Sequence, residues 1–151
     1  AAAAGLATLV AFNIHDFVDG LAIGAAMIEN QRLGTLVFLA VLFHEIPAGF
    51  TLAAVLRGSG VSRRMAVLAG VSIGLITLLG IAIPFMIGDV GSFATDVFLA
   101  LATGTFIYVG ASLLVPVVET GGFRWSFLWV VVGFAAFYGT AQATDAFLRL
   151  D

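Results

Sequence analysis

The apolar positions of this chain fall in five long runs, roughly 1 to 28, 34 to 56, 66 to 88, 97 to 118 and 127 to 148. Short segments that collect most of the charge separate them. A bilayer crossing takes about 20 mostly apolar residues, and each run is long enough. Each run predicts a helix, because hydrocarbon offers no water to satisfy an open backbone group. Strands of a membrane barrel would alternate in segments of about ten residues, and these runs do not alternate. The expected fold class is therefore all-α, a polytopic transmembrane helix bundle of five spans, with 1–151 forming a single transmembrane domain.

Composition narrows the function. The 151 residues are 62% hydrophobic and 10% charged, and a mean hydropathy of +1.16 excludes an ordinary soluble domain. There is no cysteine, so disulfides and thiolate metal sites are excluded. All six cationic residues are arginine, which leaves no lysine for a retinal or pyridoxal Schiff base. A net charge of -3, dispersed along the connections, gives no electrostatic footprint for a nucleic-acid partner.

Arg57, Arg63 and Arg64 make the second connection the most basic, whereas the third holds Asp89 and Asp96 and no base. The positive-inside rule then puts the second connection in the cytoplasm, with the N-terminus inside and the C-terminus outside. Arg124 also falls inside, and Arg32 and Arg149 fall outside. The expected location is the plasma or inner membrane. Trp125 and Trp129 stand where interfacial anchors of the last helix belong. Gly20/Gly24 and Gly70/Gly74 are small-xxx-small pairs; packing within one bundle is their commoner use, and a homodimer interface is the other. Ala1 to Leu6 contains neither an initiating methionine nor a signal peptide's basic region and cleavage site, so the sequence reads as a segment of a longer chain that begins at a helix.

One polar pattern occurs twice within the apolar runs. His15-Asp16-Phe17-Val18-Asp19-Gly20 and His44-Glu45-Ile46-Pro47-Ala48-Gly49 both read H-[D/E]-x-x-[D/A]-G and lie 29 residues apart. A carboxylate at membrane depth costs roughly 2.5 to 3.5 kcal/mol, so Asp16, Asp19 and Glu45 together would cost about 8 to 10 if nothing compensated them. With about 100° per residue, Asp19 lies between His15 and Asp16 in helical phase and one turn further on. His44, Glu45 and position 48 repeat that geometry, except that Ala48 leaves the last corner without a ligand. Pro47 predicts a kink at the level of His44 and Glu45, and broken helices at membrane depth are tolerated where they line a cavity or face protein. Imidazoles mixed with carboxylates suit Zn²⁺, Fe²⁺ or Mn²⁺, with zinc first, whereas an all-oxygen set would suit Mg²⁺ or Ca²⁺. The candidate metal ligands are His15, Asp16, Asp19, His44 and Glu45. The competing reading is a hydrogen-bonded polar knot, against which stands the lack of any arginine in either span to balance three carboxylates. Asn13, Thr51, Ser72 and Thr77 either line a path or bond to their own helix backbones, the second being the more frequent use of such residues.

The stretch His15-Asp16-Phe17-Val18-Asp19-Gly20-Leu21-Ala22-Ile23-Gly24 resembles the H-N-x-x-[D/E]-G-x-A-I-G motif of the ZIP (ZRT/IRT-like) metal transporters, on the fourth of that family's eight helices. His44-Glu45-Ile46-Pro47 resembles the H-E-x-P-H-E motif of the fifth, and Gly104-Thr105-Phe106-Ile107-Tyr108-Val109, with Pro116 beyond, is similar to the G-T-F-x-Y-V stretch of the seventh. The resemblance covers essentially the whole chain and implies three preceding helices that this sequence lacks. It implies metal ligands at His15, Asp16, Asp19, His44 and Glu45, and in some members two metals bridged by carboxylates. This sequence departs from the family pattern at Asp16, usually asparagine, at Ala48, usually His or Glu, and at Leu113 and Val117, where acidic residues are usual.

The residues point to a divalent ion, zinc before Fe²⁺ or Mn²⁺, held at a midplane site with no tightly bound cofactor, and the resemblance implies that the ion is transported toward the cytoplasm, with alternating exposure of that site as the expected mechanism. Because ligands must deprotonate to bind metal, uptake should weaken at acid pH. Two alternatives stand beside it. His44-Glu45 begins the H-E-x-x-H pattern of a metalloprotease, although Ala48 occupies the second histidine position. A non-transporting membrane subunit could use the polar cluster only to fix helix register.

Overall fold

The computed structural model describes residues 2–109 and 126–148, and all five described elements are helices: α1 (Ala2–Glu29), α2 (Gln31–Gly58), α3 (Arg63–Ile87), α4 (Ser92–Val109) and α5 (Ser126–Leu148). The protein is all-α, of the membrane-bundle class. Among the described residues, α1 from Gly5, α2 and α3 are long and apolar enough to cross a bilayer, and the apolar part of α4, Ser92–Tyr108, is shorter. The expected features at Leu113, Pro116, Val117, Glu119, Arg124, Trp125 and Arg149 lie outside the described residues.

The chain divides into two compact units, Ala1–Ala102 and Thr103–Asp151. In the first, α1, α2 and α3 pack on one another. The connection expected at Glu29 to Leu33 is a single residue. Asn30, in an extended conformation, separates α1 from α2 and accepts the Leu33 N–H on its side chain at 3.1 Å. Its own N–H donates to the Ala26 carbonyl at 2.8 Å, so one residue closes one helix and caps the next. Helices joined so tightly must run antiparallel, and Gly34 makes room for the close crossing: a Cβ there would stand 2.5 Å from Met27 Cα. Ser62 caps α3 in the same manner as Asn30 caps α2, accepting the Met65 N–H. The helix ends at Gly88, whose φ of 87° suits a residue without a Cβ.

With two antiparallel connections, α1 and α3 run parallel, and glycine decides how close they come. A Cβ on Gly20 would run into the carbonyl of Thr77 and approach Gly80 Cα at 2.8 Å, and one on Gly80 would lie 2.5 Å from the Phe17 carbonyl. One turn on, Gly24 faces Ile81 and Pro84. The pair Gly20/Gly24 thus serves packing within the bundle. Its partner is Gly80, whereas Gly74 has nothing within 4 Å.

Toward the N-terminal end of α1, Leu52, Leu56, Ala66, Ala69 and Ile73 form an apolar core on which Leu9, Phe12 and Ala48 pack. Pro47 lies inside α2, which continues as one helix on either side of it. The second unit contains the end of α4 and all of α5, where the Thr140 hydroxyl donates to the Ala136 carbonyl of its own helix at 2.8 Å.

Candidate metal site

The tight α1–α2 connection accounts for the 29-residue spacing of the two polar hexapeptides. In a helical hairpin turning at Asn30, positions equally far from the turn come level, and His15 and His44 are such a pair. Both lie about 22 Å along their helices from it. The two imidazole rings stand 5.4 Å apart, inclined at 56°.

Asp19 joins them. Its Oδ2 is 3.6 Å from His15 Nε2 and 3.4 Å from His44 Nε2, so a single carboxylate oxygen faces both rings. His15, Asp16 and His44 also each present a donor atom within 4.8 Å of the other two, a separation a cation can span. Glu45 completes the group from α2, near enough to interact electrostatically with both Asp16 and Asp19. All five residues singled out in the sequence therefore come together on the facing sides of α1 and α2.

Burial makes the group unusual. Asp16 and Asp19 are 0% exposed, yet none of their four carboxylate oxygens has a hydrogen-bond partner, and neither has Glu45 Oε2. Buried polar atoms are nearly always hydrogen-bonded, and an ionised carboxylate left bare is among the most costly. No arginine of α1 to α3 approaches them: Arg32, Arg57, Arg63 and Arg64 all lie at helix ends. Acceptor oxygens converging without donors, beside two imidazoles, form an arrangement that a divalent cation satisfies.

The remaining polar candidates separate cleanly. Asn13 donates to the Leu9 carbonyl, Thr51 to Pro47 and Ser72 to Ala69, each on its own helix. Thr77 alone among these four reaches a side chain of another helix, its hydroxyl standing 3.1 Å from Glu45 Oε1 as well as 3.1 Å from the Ile73 carbonyl. Thr77 brings α3 into the site. By sequence alone it ranks with the backbone-bonding residues, and the one signal that sets it apart is its place three residues before Gly80.

The description of the ZIP zinc transporter family matches residues 1–141 of this chain. Zinc transporter ZIP4 of Homo sapiens is 35% identical over 103 residues, covering 68% of this chain and 16% of its own length. Zinc transporter ZIP6 of Pongo abelii is 33% identical over 138 residues, covering 84% of this chain and 19% of its own length. Metal cation symporter ZIP8 of Homo sapiens is 31% identical over 103 residues, covering 68% of this chain and 22% of its own length. The chain thus spans about a fifth of the length of these curated relatives. No solved structure matches.

Proposed function

The chain belongs to the ZIP zinc transporter family, and on that premise we propose that it carries a divalent metal ion, zinc foremost, across a cell membrane toward the cytoplasm. The ligands are His15, Asp16, Asp19, His44 and Glu45. The observation that carries this reading is Asp19 Oδ2 facing both imidazoles while the buried oxygens of Asp16 and Asp19 have no hydrogen-bond partner. The relatives bear the names of transporters, and with Ala48 in place of the second histidine of H-E-x-x-H the chain is not a metalloprotease.

Each residue has a part in that reading. Asp19 bridges the two helices, the two imidazoles supply the borderline donors that favour zinc over calcium or magnesium, and Asp16 and Glu45 neutralise the charge of the ion. The apolar core around Leu52 and Ile73, with Leu9 and Phe12 against it, lies between this site and the end of the bundle that the arginines assign to the cytoplasm. Inward release then requires α1, α2 and α3 to part where they meet in that core. Uptake of radiolabelled zinc into cells expressing the whole transporter tests the proposal. Zinc accumulation no greater with the native protein than with His15→Ala/His44→Ala would overturn it.

Stoichiometry gives a separate prediction. Ala48 packs against the apolar core one turn beyond His44, so no carboxylate on α2 mirrors Asp19. Two adjacent cations sharing only Asp19 would repel one another strongly at low dielectric. Calorimetric titration should find one tightly bound zinc per native chain and a second on Ala48→Glu. Two well-occupied sites with Ala48 intact would mean that Asp16 and Glu45 close a second site by themselves.

A further inference from the structure

We propose that Thr77 sets the metal preference of the site by holding Glu45 to a single coordinating oxygen. This rests on the reading of the His15, Asp16, Asp19, His44 and Glu45 cluster as metal-binding, and extends it to a third helix.

The Thr77 hydroxyl has one proton and two acceptors at 3.1 Å, Glu45 Oε1 and the Ile73 carbonyl. An ionised carboxylate is the stronger acceptor, so the proton goes to Glu45. Oε1 is then engaged, while Oε2 is buried and has no hydrogen-bond partner. Glu45 thus has one oxygen tied to α3 and one buried oxygen left without a hydrogen-bond partner, the one that a cation can take.

The donor is also held in place. Thr77 is only 8% exposed, and its backbone carbonyl lies against Gly20, the neighbour of Asp19, where α1 and α3 approach closely. The Thr77 backbone cannot shift relative to Asp19 without parting two helices in close contact, and the bond to the Ile73 carbonyl favours the side-chain rotamer seen. Thr35, Thr51 and Thr140, which donate only to carbonyls of their own helices, have no comparable tie to another element.

Coordination chemistry supplies the consequence. Zinc takes about four ligands at roughly 2.0 to 2.2 Å and is satisfied by single carboxylate oxygens alongside imidazoles. Manganese prefers an octahedral, oxygen-rich shell, which a bidentate carboxylate helps to complete. While Thr77 occupies Oε1, Glu45 cannot become bidentate without losing its hydrogen bond. The hydroxyl therefore orients a zinc ligand and withholds an oxygen from ions that need more of them.

The test is calorimetric titration of the purified whole transporter with zinc and with manganese, for the native protein, Thr77→Val and Thr77→Ser, with the metal-free melting temperature recorded for each. Thr77→Val keeps the shape and removes the hydroxyl. Zinc affinity should fall about tenfold, equivalent to about 1.4 kcal/mol, while manganese affinity holds or rises, so that the preference for zinc narrows by about tenfold or more. Thr77→Ser should retain the native preference, and the metal-free melting temperatures should agree. A zinc-to-manganese ratio unchanged in Thr77→Val, or a serine variant that behaves like valine, would overturn the proposal. If the valine variant does not fold, Thr77→Ala makes the same deletion with less bulk and is judged by the same ratio. Asp19→Asn measured in parallel separates the two claims. Loss of zinc there with an unchanged ratio in Thr77→Val overturns the role of Thr77 alone, and retained zinc binding in Asp19→Asn overturns the site itself.

Discussion

Asp19→Ala should lower zinc affinity by at least about a hundredfold, a loss of about 2.7 kcal/mol. Asp19 has one oxygen close to both imidazoles, at 3.6 and 3.4 Å, so its removal takes away the group that links the two rings across the facing helices. Asp16 and Glu45 remain, and Asp16 also has an atom within 4.8 Å of both rings, so residual binding rather than none is expected. Asp19→Asn tests charge against shape, since it keeps the volume and one oxygen. It should recover the melting temperature of the native protein and little of its zinc binding. A polar knot that only fixes helix register predicts the opposite pattern, with lower melting temperatures and no zinc-dependent stabilisation in the native protein. Melting curves with and without zinc distinguish the two.

Gly20→Val should have the second large effect, on stability and binding together. Its side chain would be forced into the backbone of α3 at Thr77 and Gly80, where no rotamer change can clear a path. Overpacking of a close contact costs about 1 to 3 kcal/mol, and because the obstacle here is backbone, the upper end is expected. Parting α1 from α3 also moves Asp19 away from Thr77, so zinc binding should fall with stability. Gly74→Ala is the matched control, since a Cβ there meets nothing within 4 Å. Equilibrium denaturation in detergent should show Gly20→Val far below the native protein and Gly74→Ala close to it. Equal losses at the two positions would mean that the α1–α3 approach is not what glycine is there for.

The helices and the candidate site are legible in the sequence for different reasons. Apolar runs with almost no breaks admit one secondary structure in lipid, and α1, α2 and α3 lie close to where those runs put them. His15, Asp16, Asp19, His44 and Glu45 stand out because ionisable groups at that depth are costly, and their helical phases allow His15, Asp19 and His44 to converge. Three features are not legible. The one-residue turn at Asn30 depends on Gly34 meeting Met27, a contact between helices that single-chain propensities do not encode. Gly80 cannot be chosen over Gly70 and Gly74 as the partner of Gly20, because small residues at regular spacing look alike until the helices are superposed. Thr77 is hidden by its own chemistry. A threonine in an apolar helix usually bonds to its own backbone, as Thr51 does, and only the presence of Glu45 across the interface makes Thr77 different.

The single-residue turn at Asn30 also bears on how such a chain enters a membrane at all. Helix α1 alone would carry Asp16 and Asp19 into hydrocarbon with nothing opposite them, and α2 alone would do the same with Glu45. Because one residue joins them, the second helix is tethered beside the first from the moment it emerges. The two can then insert as a preformed hairpin, with their ionisable faces turned inward. The geometry that assembles the polar cluster would thus also shield it during biogenesis, and lengthening the connection should impair insertion.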